Sequence, residues 1–134
     1  CREIVREIQN DNSRRDIEFS RLDTEIEQLT DEVSNIFVGL DDILDYYEVM
    51  KKNPKNGLVI EQYYEYISAH FKLFSAEFNQ INLKENSVEK ISILKTIKEK
   101  MNAFYQVILA DLLIYTAQVG NLGVSQNSST VNYN

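Results

Sequence analysis

The 134-residue chain is long enough for one domain of ordinary size and too short for two. Its formal net charge of −7 argues against nucleic acid as a partner, because a phosphate backbone requires a basic protein surface. Only four glycines and one proline stand among many leucines, isoleucines, glutamates and lysines, a composition that favours an all-α fold.

The sequence begins with Cys1, its only cysteine, so an intrachain disulfide is excluded. A bacterial lipoprotein begins its mature form with an acylated cysteine, which makes Cys1 a candidate lipidation site. An excised fragment or an engineered cysteine accounts for the same feature equally well, and a helical pattern that starts at once is unusual for a lipid tether. The compartment is therefore left open between the cytoplasm and a lipid-anchored position outside it.

Apolar residues recur at alternating spacings of three and four along a first predicted helix, over residues 3–52. This heptad seam is typical of helices that pack along one another. Its members are Phe19, Leu22, Ile26, Leu29, Val33, Ile36, Leu40, Ile43, Tyr47 and Met50. Phe19 takes position a and Leu22 position d of the heptad. In the same frame, the earlier seam positions are held by Arg15, Asn12, Ile8 and Val5.

The positions that flank the seam divide the chain into three predicted parts. Over residues 1–32 the flanks are mostly polar, as in a two- or three-stranded coiled coil, which predicts a coiled-coil arm. Residues 33–120 are predicted to form a helical bundle, because apolar flanks widen the stripe there, at Phe37, Val38, Leu44 and Tyr46. Residues 121–134 are rich in Asn and Ser and predict a flexible polar tail.

Two polar residues interrupt the seam, with Asn12 at position a and Arg15 at position d. A buried asparagine at position a fixes the register of a coiled coil and favours a parallel dimer. Alternatively, the helix breaks between Asp11 and Arg15, where the run Asn-Asp-Asn-Ser has poor helix propensity. The sequence leaves both possibilities open.

Three further elements complete the predicted architecture. A loop is predicted at residues 51–57, which contain an Asn-Pro and an Asn-Gly step, and a second helix over residues 58–80. Asn86 and Glu89 predict a capping box at the start of a third helix, and Gly120 predicts its end.

Short connections place each helix antiparallel to the one before it. The predicted fold is an all-α, three-helix antiparallel bundle whose long first helix extends as a coiled coil. Fifty residues of helix span about 75 Å, so the first helix must project beyond its companions. Its projecting seam requires cover from a second copy or another protein, in a dimer or trimer. The predicted oligomer contacts are Asn12, Arg15, Phe19, Leu22, Ile26 and Leu29.

Tyrosines and acids cluster on both sides of the predicted loop. A helical hairpin brings several of the tyrosines together, either as an interface or as the margin of the core. The predicted partner patch consists of Asp42, Asp45, Tyr63 and Tyr66. Its acids suit another protein with a basic surface.

Catalysis finds little support in the sequence. The only histidine, His70, has no carboxylate at the spacing of three or four that helical metal ligation requires. One histidine and a terminal cysteine build no nucleophilic triad, and the four glycines stand apart from one another. We therefore expect no enzyme activity, no metal site and no cofactor. No transmembrane segment is predicted, because the most apolar run, residues 103–119, is shorter than the roughly 20 residues required.

The predicted function is that of a non-enzymatic helical scaffold, adaptor or assembly subunit, which acts through coiled-coil self-association and helix-mediated contacts with other proteins. The alternative is a helical sensor domain outside the cytoplasm or a surface lipoprotein anchored through Cys1.

Overall fold

The computed structural model describes the backbone of residues 2–132 and the side chains of residues 2–118. Within the described residues the chain forms three helices: α1 over Arg2–Lys51, α2 over Gly57–Asn82 and α3 over Val88–Asn132. They pack against one another as an all-α bundle, which confirms the predicted fold class. Helix α1 is unbroken through Asn12 and Arg15, so the predicted alternative of a break at that point is wrong.

Helices α1 and α3 run in the same direction, with α2 antiparallel between them in sequence. The parallel direction of α1 and α3 follows from the order of their contacts, because residues later in α1 contact residues later in α3. Near the start of α3, Asn86 Nδ2 donates to Asp23 Oδ1 over 2.8 Å. Further along, Lys98 Nζ lies 2.5 Å from Glu32 Oε2. This alignment leaves the first part of α1 without a neighbouring helix.

The core follows the predicted heptad seam from Ile26 onward. Seven of its largest side chains are almost wholly buried: Val33, Leu40, Ile67, Leu94, Ile97, Met101 and Ile108. Of the predicted flanking residues, Leu44 is buried and Phe37 packs edge-on against Phe71, with ring centroids 5.4 Å apart. Val38 and Tyr46 remain exposed, because two companion helices cover a narrower sector of α1 than the flanks suggested.

The turn between α2 and α3 is organised around a buried lysine. Lys90 Nζ donates to the carbonyl oxygen of Lys84 over 2.8 Å and to Asn86 Oδ1 over 3.1 Å. These acceptors compensate for the loss of water around a buried ammonium group. The backbone N–H of Lys90 donates to Ser87 Oγ over 3.1 Å, so Ser87 caps α3. The predicted capping box at Asn86 is therefore wrong, because that side chain is used by Lys90.

The other end of the bundle is closed by the loop between α1 and α2. Gly57 begins α2 with φ +72°, a backbone conformation that L side chains rarely adopt. Asn56 Nδ2 donates to the carbonyl oxygen of Met50 over 2.7 Å. Tyr115 on α3 donates in turn to Asn56 Oδ1 over 2.8 Å. The loop is thus hydrogen-bonded to both α1 and α3.

Helix α3 continues beyond Gly120 to Asn132. The predicted stop at Gly120 is therefore wrong. A glycine inside a helix costs about 1 kcal/mol relative to alanine, too little to end a long helix by itself. The predicted tail, residues 121–134, lies outside the described side chains, and its mobility stays a prediction.

The contrast between a buried and an exposed leucine tests this packing. Leu94 is fully buried and Leu73 is 67% exposed. Leu94→Ala should lower the free energy of unfolding by about 2–5 kcal/mol, because it leaves a cavity in the core. Leu73→Ala should change it by no more than about 0.5 kcal/mol. Urea unfolding followed by circular dichroism measures both, and equal losses would contradict the placement of α3.

Candidate functional site

The first 20 described residues of α1 form an exposed arm. Every residue from Arg2 to Arg21 is exposed to solvent, and the first buried side chain of the helix is Ile26. We call residues 2–21 the arm; it is shorter than the predicted division at residue 32. At about 1.5 Å per residue the arm is about 30 Å long.

The arm carries an unburied continuation of the core stripe. Its apolar seam residues Val5, Ile8 and Phe19 are each more than half exposed. They occupy the same heptad positions as Ile26 and Leu29, which are buried in the bundle. One face of α1 is therefore covered by α2 and α3 over part of its length and lies exposed over the rest, as far as the described residues extend.

A shallow apolar groove lies where the arm joins the bundle. We call it the junction groove; it is lined by Glu18, Phe19, Leu22 and Val88. Val88 is the first residue of α3 and is mostly exposed, as is Phe19. Leu22 is half-buried against the core. The groove thus offers apolar side chains of α1 and α3 to a further helix.

The six predicted oligomer contacts divide into two groups. Ile26 and Leu29 are buried within this chain. Two ion pairs link α1 to α3 on either side of Leu29: Lys95–Glu25 at 3.4 Å and Lys98–Glu32 at 2.5 Å. Because the chain itself buries Ile26 and Leu29, these two side chains are not available to a second copy.

The other four predicted contacts remain accessible. Asn12, Arg15 and Phe19 are exposed, and Leu22 is half-buried at the junction groove. The set available for association consists of these four residues together with Val5 and Ile8.

The predicted partner patch is not assembled as one surface. Asp42 and Asp45 are exposed on the face of α1 opposite to the buried residues Ile43 and Tyr47. Tyr63 points the other way, with its ring 5.4 Å from the ring of Tyr47. A helix turns about 100° per residue, so Asp42 and Asp45 lie about 140° and 160° around α1 from Tyr47 and do not share the face that meets Tyr63.

Asp111 is the acid that the structure places beside the tyrosines. The Tyr63 hydroxyl donates to Asp111 Oδ2 on α3. Burial, and then this hydrogen bond to a carboxylate, raise the pKa of Tyr63 well above its ordinary value. Tyr63 therefore links α2 to α3, whereas Tyr66 is about half exposed.

An aromatic cluster that the sequence did not predict lies between α2 and α3. The rings of His70 and Phe104 are stacked, with centroids 4.7 Å apart and an interplanar angle of 17°. Tyr66 and Phe74 flank His70 on α2, with ring centroids 4.4 Å and 6.4 Å away. The spacing of four between Tyr66, His70 and Phe74 indicates that they share one face of α2. The same spacing carries no information about Phe104, which lies on another helix.

The described residues hold no group of three or more His, Cys, Asp or Glu side chains placed to bind a metal ion. His70 Nδ1 lies 3.0 Å from the carbonyl oxygen of Tyr66, which orients the ring within its own helix. None of the described helices contains a stretch long and apolar enough to cross a membrane. Cys1, the predicted lipidation site, lies outside the described residues, so the lipid anchor stays a prediction.

Comparison of the chain with protein-family models, with curated proteins and with solved structures finds no match.

The buried tyrosine Tyr47 predicts a loss of stability at alkaline pH. Burial, followed by the charges of Asp111 and Tyr115, raises the pKa of Tyr47 to about 12. Because the neutral phenol is favoured in the folded state, its stabilising effect is complete below the ordinary pKa of about 10 and is lost as pH rises toward 12.

Tyr47→Phe removes the ionisable group and serves as the reference. Above pH 10 the parent should lose free energy of unfolding faster than Tyr47→Phe, whereas below that pH the difference between them should be constant. Urea unfolding of both proteins at a series of pH values measures this difference. A constant difference across the whole series would contradict the burial of the hydroxyl.

Proposed function

We propose that the chain is a non-enzymatic helical scaffold or assembly subunit that self-associates through its arm. One observation carries the proposal: the core stripe of α1 continues along the arm, where Val5, Ile8 and Phe19 are more than half exposed. Solitary helices are marginally stable in water, because most helical stability in proteins comes from packing an apolar face. A second copy of the same arm supplies such a face.

The composition of the arm supports a coiled coil over a docking site for an unrelated surface. Its seam residues Val5, Ile8 and Phe19 keep the heptad positions a and d. Ile4 and Ile17 lie off the seam, and most of the other flanking positions are polar. A narrow stripe of this kind matches another narrow stripe and leaves the remaining faces in water. The polar residues Asn12 and Arg15 interrupt the stripe and restrict the registers in which two arms pair.

The outer face of α1 supports the further proposal of a partner with a basic surface. Exposed acids follow this face along the bundle, at Glu27, Asp31, Asp41, Asp42, Asp45 and Glu48. The two ion pairs found among the described residues involve other acids, Glu25 and Glu32. An acidic face attracts basic surfaces and favours association at low ionic strength.

Truncation of Phe19 tests the role of the arm. Phe19 is 62% exposed in the single chain, and we expect it to be buried in the assembled form. Loss of a buried phenylalanine costs about 3–5 kcal/mol, so Phe19→Ala should raise the dissociation constant at least about 100-fold. Sedimentation equilibrium of the full chain measures this constant.

Val38 provides a matched control on the same helix. It is 60% exposed, but it lies within the bundle and on the outer face of α1. Val38→Ala should leave the dissociation constant unchanged. A parent chain that stays monomeric at all concentrations, or equal effects of the two substitutions, would refute association through the arm.

A further inference from the structure

The bundle limits how far a second helix can follow the seam of the arm. From Ile26 onward this face of α1 is covered by the chain's own companion helices. In a parallel pair in register, the second α1 continues along the same face beyond residue 26, into the space that α2 and α3 occupy. Two parallel chains therefore have to separate abruptly at the end of their arms.

In an antiparallel pair, the described residues 2–25 of the two copies overlap without entering the space of α2 and α3. We propose that two copies associate with their arms antiparallel, a proposal that rests on the self-association proposed above and defines its geometry. If Arg2 of one copy lies level with Glu25 of the other, the overlap covers 24 residues, or about 36 Å. This overlap of residues 2–25 stops short of Ile26, the first buried residue of α1.

This register pairs the apolar seam residues with apolar ones and the polar seam residues with polar ones. Val5 faces Leu22 of the second copy, and Ile8 faces Phe19 of the second copy. The polar interruptions fall opposite each other, with Asn12 facing Arg15 of the second copy. Each of these pairs occurs twice, by symmetry. Apolar residues are thus buried together, and the two polar positions share the centre of the interface.

Charge disfavours the parallel alternative. A parallel pair in register places Arg15 directly against Arg15 of the second copy, at a buried d position. Its flanking positions pair Asp11 with Asp16 and Glu18 with Asp23, which are again like charges. Opposed like charges destabilise a coiled coil, most of all where they are desolvated.

The antiparallel register relieves most of this repulsion. In this register Arg15 no longer faces Arg15 of the second copy. It lies instead beside Asp11 of the second copy. Arg2 faces Asp23 of the second copy, an attractive pair that occurs twice. The pairing of Asp11 with Glu18 remains repulsive, but both side chains lie at the edge of the seam, where water screens them.

The junction groove completes the interface. In this register Val5 and Ile8 of the second copy lie over the groove, which presents apolar side chains of both α1 and α3. Beside the groove, Asn86 Nδ2 donates to Asp23 over 2.8 Å and fixes that carboxylate. Arg2 of the second copy arrives next to an acid that the turn of the bundle already holds in place.

Disulfide formation between engineered cysteines tests the orientation. All variants carry Cys1→Ser. A mixture of Val5→Cys and Leu22→Cys proteins should form the mixed disulfide, whereas Val5→Cys alone should form none. In the proposed register the two copies of residue 5 are about 26 Å apart, far beyond the roughly 4–7 Å between the Cα atoms of a disulfide. Peptide mass spectrometry identifies the linked positions.

A second mixture leaves the apolar seam whole. Asn12→Cys with Arg15→Cys should also form the mixed disulfide, because these residues face each other at the centre. Asn10→Cys lies on the outer face of the arm and should form no disulfide, which controls for random collision. Sedimentation equilibrium of each reduced mixture establishes whether dimers are present.

The possible results separate the two proposals. Both mixed disulfides, with none from Val5→Cys alone, support the antiparallel register. A dimer that links Val5→Cys to itself, or that forms neither mixed disulfide, overturns the register and leaves self-association standing. Monomers that form no disulfide in either mixture overturn self-association itself, and the register with it.

Discussion

The structure depends on one apolar stripe along α1 that is longer than the bundle that covers it. Over its second half the stripe packs against α2 and α3 and supplies core residues such as Val33 and Leu40. Over the arm the same stripe is exposed to solvent. Since the two parts lie on one continuous helix, folding the bundle also holds the arm in line. The fold of a single chain thereby leaves the apolar seam of the arm exposed.

Much of this arrangement could be predicted from the sequence, because burial in helices follows a fixed period. The heptad spacing identified the core face of α1 from Ile26 to Tyr47, and a loop that ends at Asn56 separates the first two helices as expected. The greater length of α1 than of α2 was also predictable, because helix length is proportional to residue number. Helix α3 is longer than predicted, and the arm projects because α3 begins level with Asp23 of α1. These features need only local information along one chain.

The features that the sequence could not reveal depend on contacts between helices. Burial of Lys90 requires carbonyl oxygens that only the folded turn brings together. The stacking of His70 on Phe104 joins two helices whose relative rotation no spacing specifies. For the same reason, the sequence grouped Asp42 and Asp45 with Tyr63, whereas the structure pairs Tyr63 with Asp111. Glycine is favoured at the end of a helix, but its cost in the interior is only about 1 kcal/mol, so Gly120 alone could not locate the end of α3.

Hydrogen exchange of the backbone amides of the arm tests most directly whether a second copy covers it. The exchange is followed by mass spectrometry at two widely separated protein concentrations. The backbone amides of residues 5–20 should be protected from exchange at the higher concentration. That protection should fall on dilution, while the amides around Leu94 and Met101 remain protected at both. Rapid exchange of the arm at both concentrations, beside a stable bundle, would contradict self-association through this helix.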